Sequence, residues 1–229
     1  MAAAIPAHAQ ACSQALMLGL DVSGSVDARE YRIQMDGLGR ALLSEDVQGL
    51  ILSHAVMAPV SILIFEWSDQ SGQGLIADWT SLDSAESLQL VASRVLTHHR
   101  GVAPEATSIG SALTYAAVQF ERAPDCEQRT LDISGDGKNN AAPRPEVARE
   151  IPGLADVRIN GLVIGASAEN HSYERMVEIS DLVSYYTTNV IRGEDAFVET
   201  ALGYDAFETA MIRKLVRELP ALAVGALME

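Results

Sequence analysis

The sequence predicts an α/β domain, a doubly wound and mostly parallel six-stranded sheet with one antiparallel edge strand and helices on both faces. Two observations carry this. Short apolar runs alternate with longer amphipathic stretches from end to end, and parallel strands need long crossovers, which helices supply. A third fixes the edge: two of the runs are joined by only a few polar and glycine residues, Glu66–Gln73, a connection suited to a hairpin and too short for a crossover.

Strands are expected over Ala15–Leu20, Val60–Phe65, Gly74–Trp79, Thr130–Ile133, Ile159–Ile164 and Leu182–Thr187, all rich in Val, Ile, Leu or aromatic residues. Helices are expected between them. Asp27–Leu43 places Tyr31, Met35, Leu38 and Leu42 three and four residues apart, and Ser84–Leu96, Ile109–Phe120, Pro145–Leu154 and Tyr173–Ile179 are similar or shorter. A last helix, Ala206–Leu219, stops at Pro220. No internal repeat or linker divides the chain, so residues 12–220 are expected to form one domain, with residues 1–11 a leader and residues 221–229 a tail.

With 229 residues the chain can bury a substantial core. Its 16 basic against 31 acidic residues give a net charge of −15, which repels nucleic acid and anionic lipid. No apolar run reaches the roughly 20 residues needed to span a bilayer. The opening segment ends in Ala7-His8-Ala9, the small-x-small pattern cut by signal peptidase, and reads as the remnant of a signal peptide. Only Cys12 and Cys126 are present, one shortly before each of two strand candidates. If those strands are parallel neighbours, both thiols lie at the same end of the sheet, where a disulfide is feasible. Export to the periplasm or medium fits both features.

Ligands of open α/β sheets gather at the carboxyl ends of the strands. The first strand runs into Asp21-Val22-Ser23-Gly24-Ser25, Thr107-Ser108 precedes the helix at Ile109, and the fourth strand runs into Ser134-Gly135-Asp136-Gly137. Asp21, Ser23 and Ser25 alternate along a turn that Gly24 allows to curl, so three oxygens can face one point. Two carboxylates and several hydroxyls form a hard oxygen set, which selects Mg²⁺ foremost, with Mn²⁺ or Ca²⁺ as alternatives. A cation held by so few carboxylates keeps residual positive charge and accepts a further carboxylate from outside.

These residues resemble the metal-ion-dependent adhesion site of von Willebrand factor type A domains: the Asp21–Ser25 segment, Thr107 followed by Gly110-x-Ala112-Leu113, and Asp136 after a strand. The likeness covers nearly the whole chain. Within that superfamily it resembles a bacterial group of exported proteins with a Ser-Gly-Asp-Gly-x-Asn-Asn form of the last motif, here Ser134 to Asn140. The resemblance implies that Ser23, Ser25 and Thr107 offer hydroxyls to the metal, while Asp21 and Asp136 act largely through water. It implies a protein-binding module for a partner presenting a carboxylate. It names no partner, because fold does not determine function. Many relatives carry Thr-x-Thr before the glycine; here Thr107-Ser108-Ile109 stands there, with Ser108 an alternative ligand.

Singly, Asp21, Ser23 or Ser25 would read as helix N-caps, and Gly135-Asp136-Gly137 as a turn; together with Thr107 they point to a site. Asn139 and Asn140 are expected to close their loop through side-chain-to-backbone bonds. His98 and His99 are placed to complement a helix C-terminus, while Trp67 and Trp79 are expected to cover an apolar face, with Trp67 also at the rim within reach of a partner. A competing enzymatic reading is a Mg²⁺-dependent phosphohydrolase of haloacid-dehalogenase-like type with Asp21 as nucleophile. That family needs a second carboxylate two residues later as general acid, and Ser23 stands there. Serine hydrolysis lacks the Gly-x-Ser-x-Gly elbow, and His171 is its only candidate base.

Overall fold

A computed structural model describes residues 12–101, 104–165 and 172–219. The expected leader, the whole of the expected tail and His171 lie outside the described residues. The elements run β1 (Cys12–Asp21), α1 (Ala28–Leu42), α2 (Glu45–His54), β2 (Val60–Trp67), β3 (Gly74–Ser81), α3 (Ala85–Thr97), α4 (Ile109–Phe120), β4 (Cys126–Gly135), α5 (Pro145–Ala148), β5 (Arg158–Ile164), α6 (Ser172–Asn189), β6 (Val198–Ala201) and α7 (Phe207–Glu218). The strands form one sheet in the order β3-β2-β1-β4-β5-β6. Every pairing is parallel except β2 with β3, the expected antiparallel edge.

The period of two along β1 divides the interior into two cores. Leu16, Leu18 and Leu20 point into one, packed with Tyr31, Met35, Leu38, Val91, Met211 and Leu215 from α1, α3 and α7. Ala15 and Met17 point into the other, with Phe65, Ile109, Leu113, Phe120, Ile159 and Tyr186. α1 starts where Asp27 caps it. The Asp27 carboxylate accepts the Glu30 N–H and the Glu30 carboxylate accepts the Asp27 N–H, a closed capping box.

Two expectations are corrected. Leu182–Thr187 is helical, part of α6. Its β-branched and aromatic residues suggest a strand, but Ile179, Leu182, Tyr186 and Val190 recur at intervals of three and four and all are buried against the sheet, the spacing of a helix face. The sixth strand is β6, four residues long, too short to be read from alternation. α2, which the sequence reading does not identify, buries only Val47, Ile51 and His54. Predicted helix Pro145–Leu154 resolves into α5 and a separate 3-10 turn at Pro152–Leu154.

Cys12 and Cys126 are register partners at the amino ends of β1 and β4 and are joined as a disulfide. No helix among the described residues is long and apolar enough to cross a membrane.

Candidate metal centre

β1 and β4 lie side by side at the centre of the sheet, yet the chain leaves β1 toward β2 and leaves β4 toward β5. The connections diverge at their carboxyl ends and open a crevice there, the usual ligand position in such sheets. Asp21 ends β1 and Gly135 ends β4, so the two motif loops emerge next to each other by topology alone. Thr107 arrives from the segment that leads into α4.

The side chains meet in a chain of short contacts. Thr107 Oγ1 donates to Ser23 Oγ at 3.1 Å, Ser23 Oγ lies 3.3 Å from Ser25 Oγ, and Ser25 Oγ donates to Asp136 Oδ1 at 2.7 Å. Asp21 is fully buried behind them; its Oδ1 accepts the Ser23 N–H at 2.8 Å, while Oδ2 is buried with no hydrogen-bond partner. Burial first, then the charge of Asp136, push the Asp21 carboxyl up to about 7, against the Ser23 N–H and Arg100, which pull it down. A buried carboxylate held beside another and given an unmatched oxygen is a poor resting arrangement for the chain alone. It is a suitable one for a hard cation.

Backbone clamps hold the loops. The Arg100 guanidinium donates to the carbonyls of Val22, Ser23 (3.0 Å) and Val26 (2.8 Å), and the Gly24 N–H donates to the Glu105 carbonyl at 3.0 Å. The Asn139 amide closes its own loop as expected, donating to the Ala141 carbonyl at 2.5 Å, and the asparagines also tie loop to loop: Asn140 Oδ1 accepts the Thr107 N–H at 2.9 Å, the Asn140 N–H donates to the Thr107 carbonyl at 2.9 Å, and Asn139 Oδ1 accepts the Gly110 N–H at 3.3 Å. Glycine is required at two of these contacts. A Cβ on Gly135 would stand 2.9 Å from Asp21 Oδ2 and 2.6 Å from the Tyr186 hydroxyl, and one on Gly110 would stand 2.1 Å from the Pro143 carbonyl oxygen.

The capping alternatives fall away. Asp27, not Asp21, Ser23 or Ser25, caps α1. Ser108 caps α4, accepting the Ser111 N–H and donating to the Ala142 carbonyl at 3.0 Å, so its hydroxyl is turned into the fold and Thr107 faces the cluster. Trp67 is fully buried in the second core and is not available at the rim, a correction to its expected reach toward a partner. His98 sits at the C-cap of α3 with Nε2 3.4 Å from a buried Glu66 carboxylate.

Two groups with no motif signal complete the surroundings. The Tyr204 hydroxyl, at the turn that leads into α7, donates to Asp136 Oδ2 at 3.1 Å. The Tyr186 hydroxyl of α6 is buried beneath Gly135 without a partner, and burial followed by the charges of Asp21 and Asp136 holds its proton on. Among the described residues no three His, Cys, Asp or Glu side chains group to hold a metal; the oxygen set here is two carboxylates and three hydroxyls.

Comparison with solved structures places the architecture. The chain is similar to proximal thread matrix protein 1 of the mussel byssus, at 15% identity and a TM-score of 0.61, over 91% of this chain and 48% of that one. It is also similar to a von Willebrand factor type A protein from Catenulispora acidiphila (13%, TM-score 0.56, 90% and 42% of the two chains) and to the pilus adhesin SpaC from Lactobacillus rhamnosus GG (11%, 0.56, 91% and 31%). The mussel protein has also been solved with a zinc-occupied MIDAS motif. This chain spans about half or less of the length of these proteins. No curated protein matches it in sequence. The fold is therefore that of a von Willebrand factor type A domain. Residues 11–223 match the family described as "Protein of unknown function (DUF1194)", and the chain belongs to that family.

Proposed function

We propose that this chain is a divalent-metal-dependent protein-binding module, of adhesion or scaffold kind, that works outside the cytoplasm and carries out no reaction of its own. The observation that supports it most is the hydroxyl and carboxylate cluster, with Asp21 Oδ2 buried and unmatched beneath it. Asp21, Ser23, Ser25, Thr107 and Asp136 would hold the ion, Mg²⁺ by the hardness of the donors. A bound Mg²⁺ supplies an electrophilic centre able to accept a carboxylate oxygen from a partner protein. Thr107, Ser23 and Ser25 contribute neutral oxygens, so the two carboxylates alone offset the ion's charge and its affinity for an outside anion is kept. Arg100 fixes the loop carbonyls so that the hydroxyls converge before anything binds, which lowers the cost of ordering them on association. The zinc-occupied site of the mussel protein and the adhesin neighbour support this reading, as the disulfide supports an oxidising compartment.

Isothermal titration of the EDTA-stripped protein with MgCl₂ tests it. Saturable one-site binding is expected, with a thermal stabilisation of about 2.7 kcal/mol at a hundredfold excess over Kd. Both are expected to disappear in Asp21→Ala. Binding that survives this substitution unchanged, or no binding at all, refutes the assignment.

A further inference from the structure

We propose that the carboxylate taken at this centre comes from a basic protein segment, an Asp or Glu flanked by Lys or Arg; this rests on the metal-dependent reading above. Among the described residues, acids outnumber bases around the rim that a partner must approach. Asp136 shares a cavity of ≈240 Å³ with Glu178 and Asp181 of α6, and Lys138 on its wall is already paired to Asp181 at 2.5 Å. Across the loop, Glu105 is exposed and its carbonyl holds Gly24, next to Ser23 and Ser25. Glu30 lies where the charge of Asp136 is felt: partial burial and the charges of Asp27 and Asp136 push its carboxyl up. Asp205 follows Tyr204, whose hydroxyl holds Asp136, and pairs with Arg29 at 3.5 Å.

The balance of these charges is one-sided. Among the described residues, the rim's Arg29 and Lys138 are each matched by an acid, and Arg100 is turned inward onto backbone carbonyls. Glu105 and Glu178, both exposed, have no ion pair among the described residues, and Glu30 adds to them. Behind the rim the unmatched, fully buried Asp21 Oδ2 marks the point of attachment. At physiological salt exposed charges more than about 8 Å apart are largely screened, so the acids that act on an incoming group are those of the rim itself. An isolated carboxylate therefore meets repulsion before it reaches the centre, and one accompanied by cationic neighbours does not. Such complementarity sets which partner binds and how fast it arrives.

The test uses the full chain, titrated in Mg²⁺ and again in EDTA with three nine-residue peptides: a central Asp flanked by Lys, the same peptide with Asn for Asp, and a central Asp flanked by Glu. The Lys-flanked Asp peptide is expected to bind at least tenfold more tightly than either of the others, and only in Mg²⁺. In the Glu105→Gln/Glu178→Gln protein the preference for Lys over Glu flanks is expected to shrink to under threefold. Equal binding of the two Asp peptides, equal binding of the Asn peptide in EDTA, or Mg²⁺ uptake with no peptide binding overturns the inference and leaves the metal site standing. Absence of Mg²⁺ uptake in a parallel titration removes the metal reading itself and this inference with it.

Discussion

At the scale of single residues, the two carboxylates of the site are treated differently by the fold. Asp21 is immobilised by burial and by the Ser23 N–H, whereas Asp136 is half-exposed and owes its orientation to two hydroxyls, Ser25 on Oδ1 and Tyr204 on Oδ2. Hydrogen-bond partners of this kind typically change metal affinity by 10- to 100-fold. Tyr204→Phe removes one hydroxyl from a ring that otherwise stays packed, so the Mg²⁺ Kd is expected to rise about tenfold with little change in melting temperature. Calorimetry on the two proteins checks this, and an unchanged Kd would show that Ser25 alone holds Asp136. Neither Tyr204 nor Arg100 was legible in the sequence, because each reaches the centre from a distant stretch carrying no local pattern. The five proposed ligands were legible because each stands at a strand end or just before a helix, where glycine and hydroxyl residues leave a local trace. Thr107, Ser23, Ser25 and Asp136 meet in direct contacts, while the Ser108 hydroxyl is engaged in the α4 cap.

Elements show where reading by pattern fails and what it cannot see. Over Leu182–Thr187 of helix α6 residue type predicts a strand while residue spacing fits a helix, and packing follows the spacing. Helix α7 carries a feature with no pattern at all. Lys214 is fully buried, with Nζ 3.2 Å from Asp132 Oδ1 on β4, in ion-pair range without hydrogen-bond geometry, and 2.5 Å from Glu218 Oε1, to which Asn160 also donates. Two acids share one base. Burial, and then the Glu218 charge, raise the Asp132 carboxyl to about 7 despite Lys214, from 3.8 in the free side chain. Between those values the native protein holds a proton that the unfolded chain has released. Its stability therefore falls as pH rises from about 4 to about 7, by at most about 1.4 kcal/mol per pH unit from this group. Urea unfolding in EDTA at pH 4.5, 6 and 7.5 is expected to show a steeper decline for the native sequence than for Asp132→Asn. Asp21 titrates in the same range in both proteins, so the difference between the two slopes is the readout, and parallel slopes would assign the pH dependence elsewhere.

For the whole molecule, the parallel arrangement of β1 and β4 separates two tasks along one pair of strands. Their carboxyl ends carry the oxygen cluster; their amino ends carry the Cys12–Cys126 bridge. β1 runs ten residues from Cys12 to Asp21, a span of about 30 Å at the usual rise. The cysteines are 114 residues apart in sequence, so the bond closes a loop holding α1 to α4 and constrains the unfolded chain strongly. Disulfides typically contribute about 2–4 kcal/mol, and a loop this long lies toward the upper end, about 4 kcal/mol. Cys12→Ser/Cys126→Ser is accordingly expected to lose stability of that order in urea. Its Mg²⁺ affinity at 20 °C is expected to stay within twofold, because the backbone pairing of Gln14 to Leu20 with both neighbours positions the site without the bond. A folded double variant with strongly weakened Mg²⁺ binding would mean that strain at one end of the central strands is transmitted to the other, and the separation of stapling from recognition would be wrong.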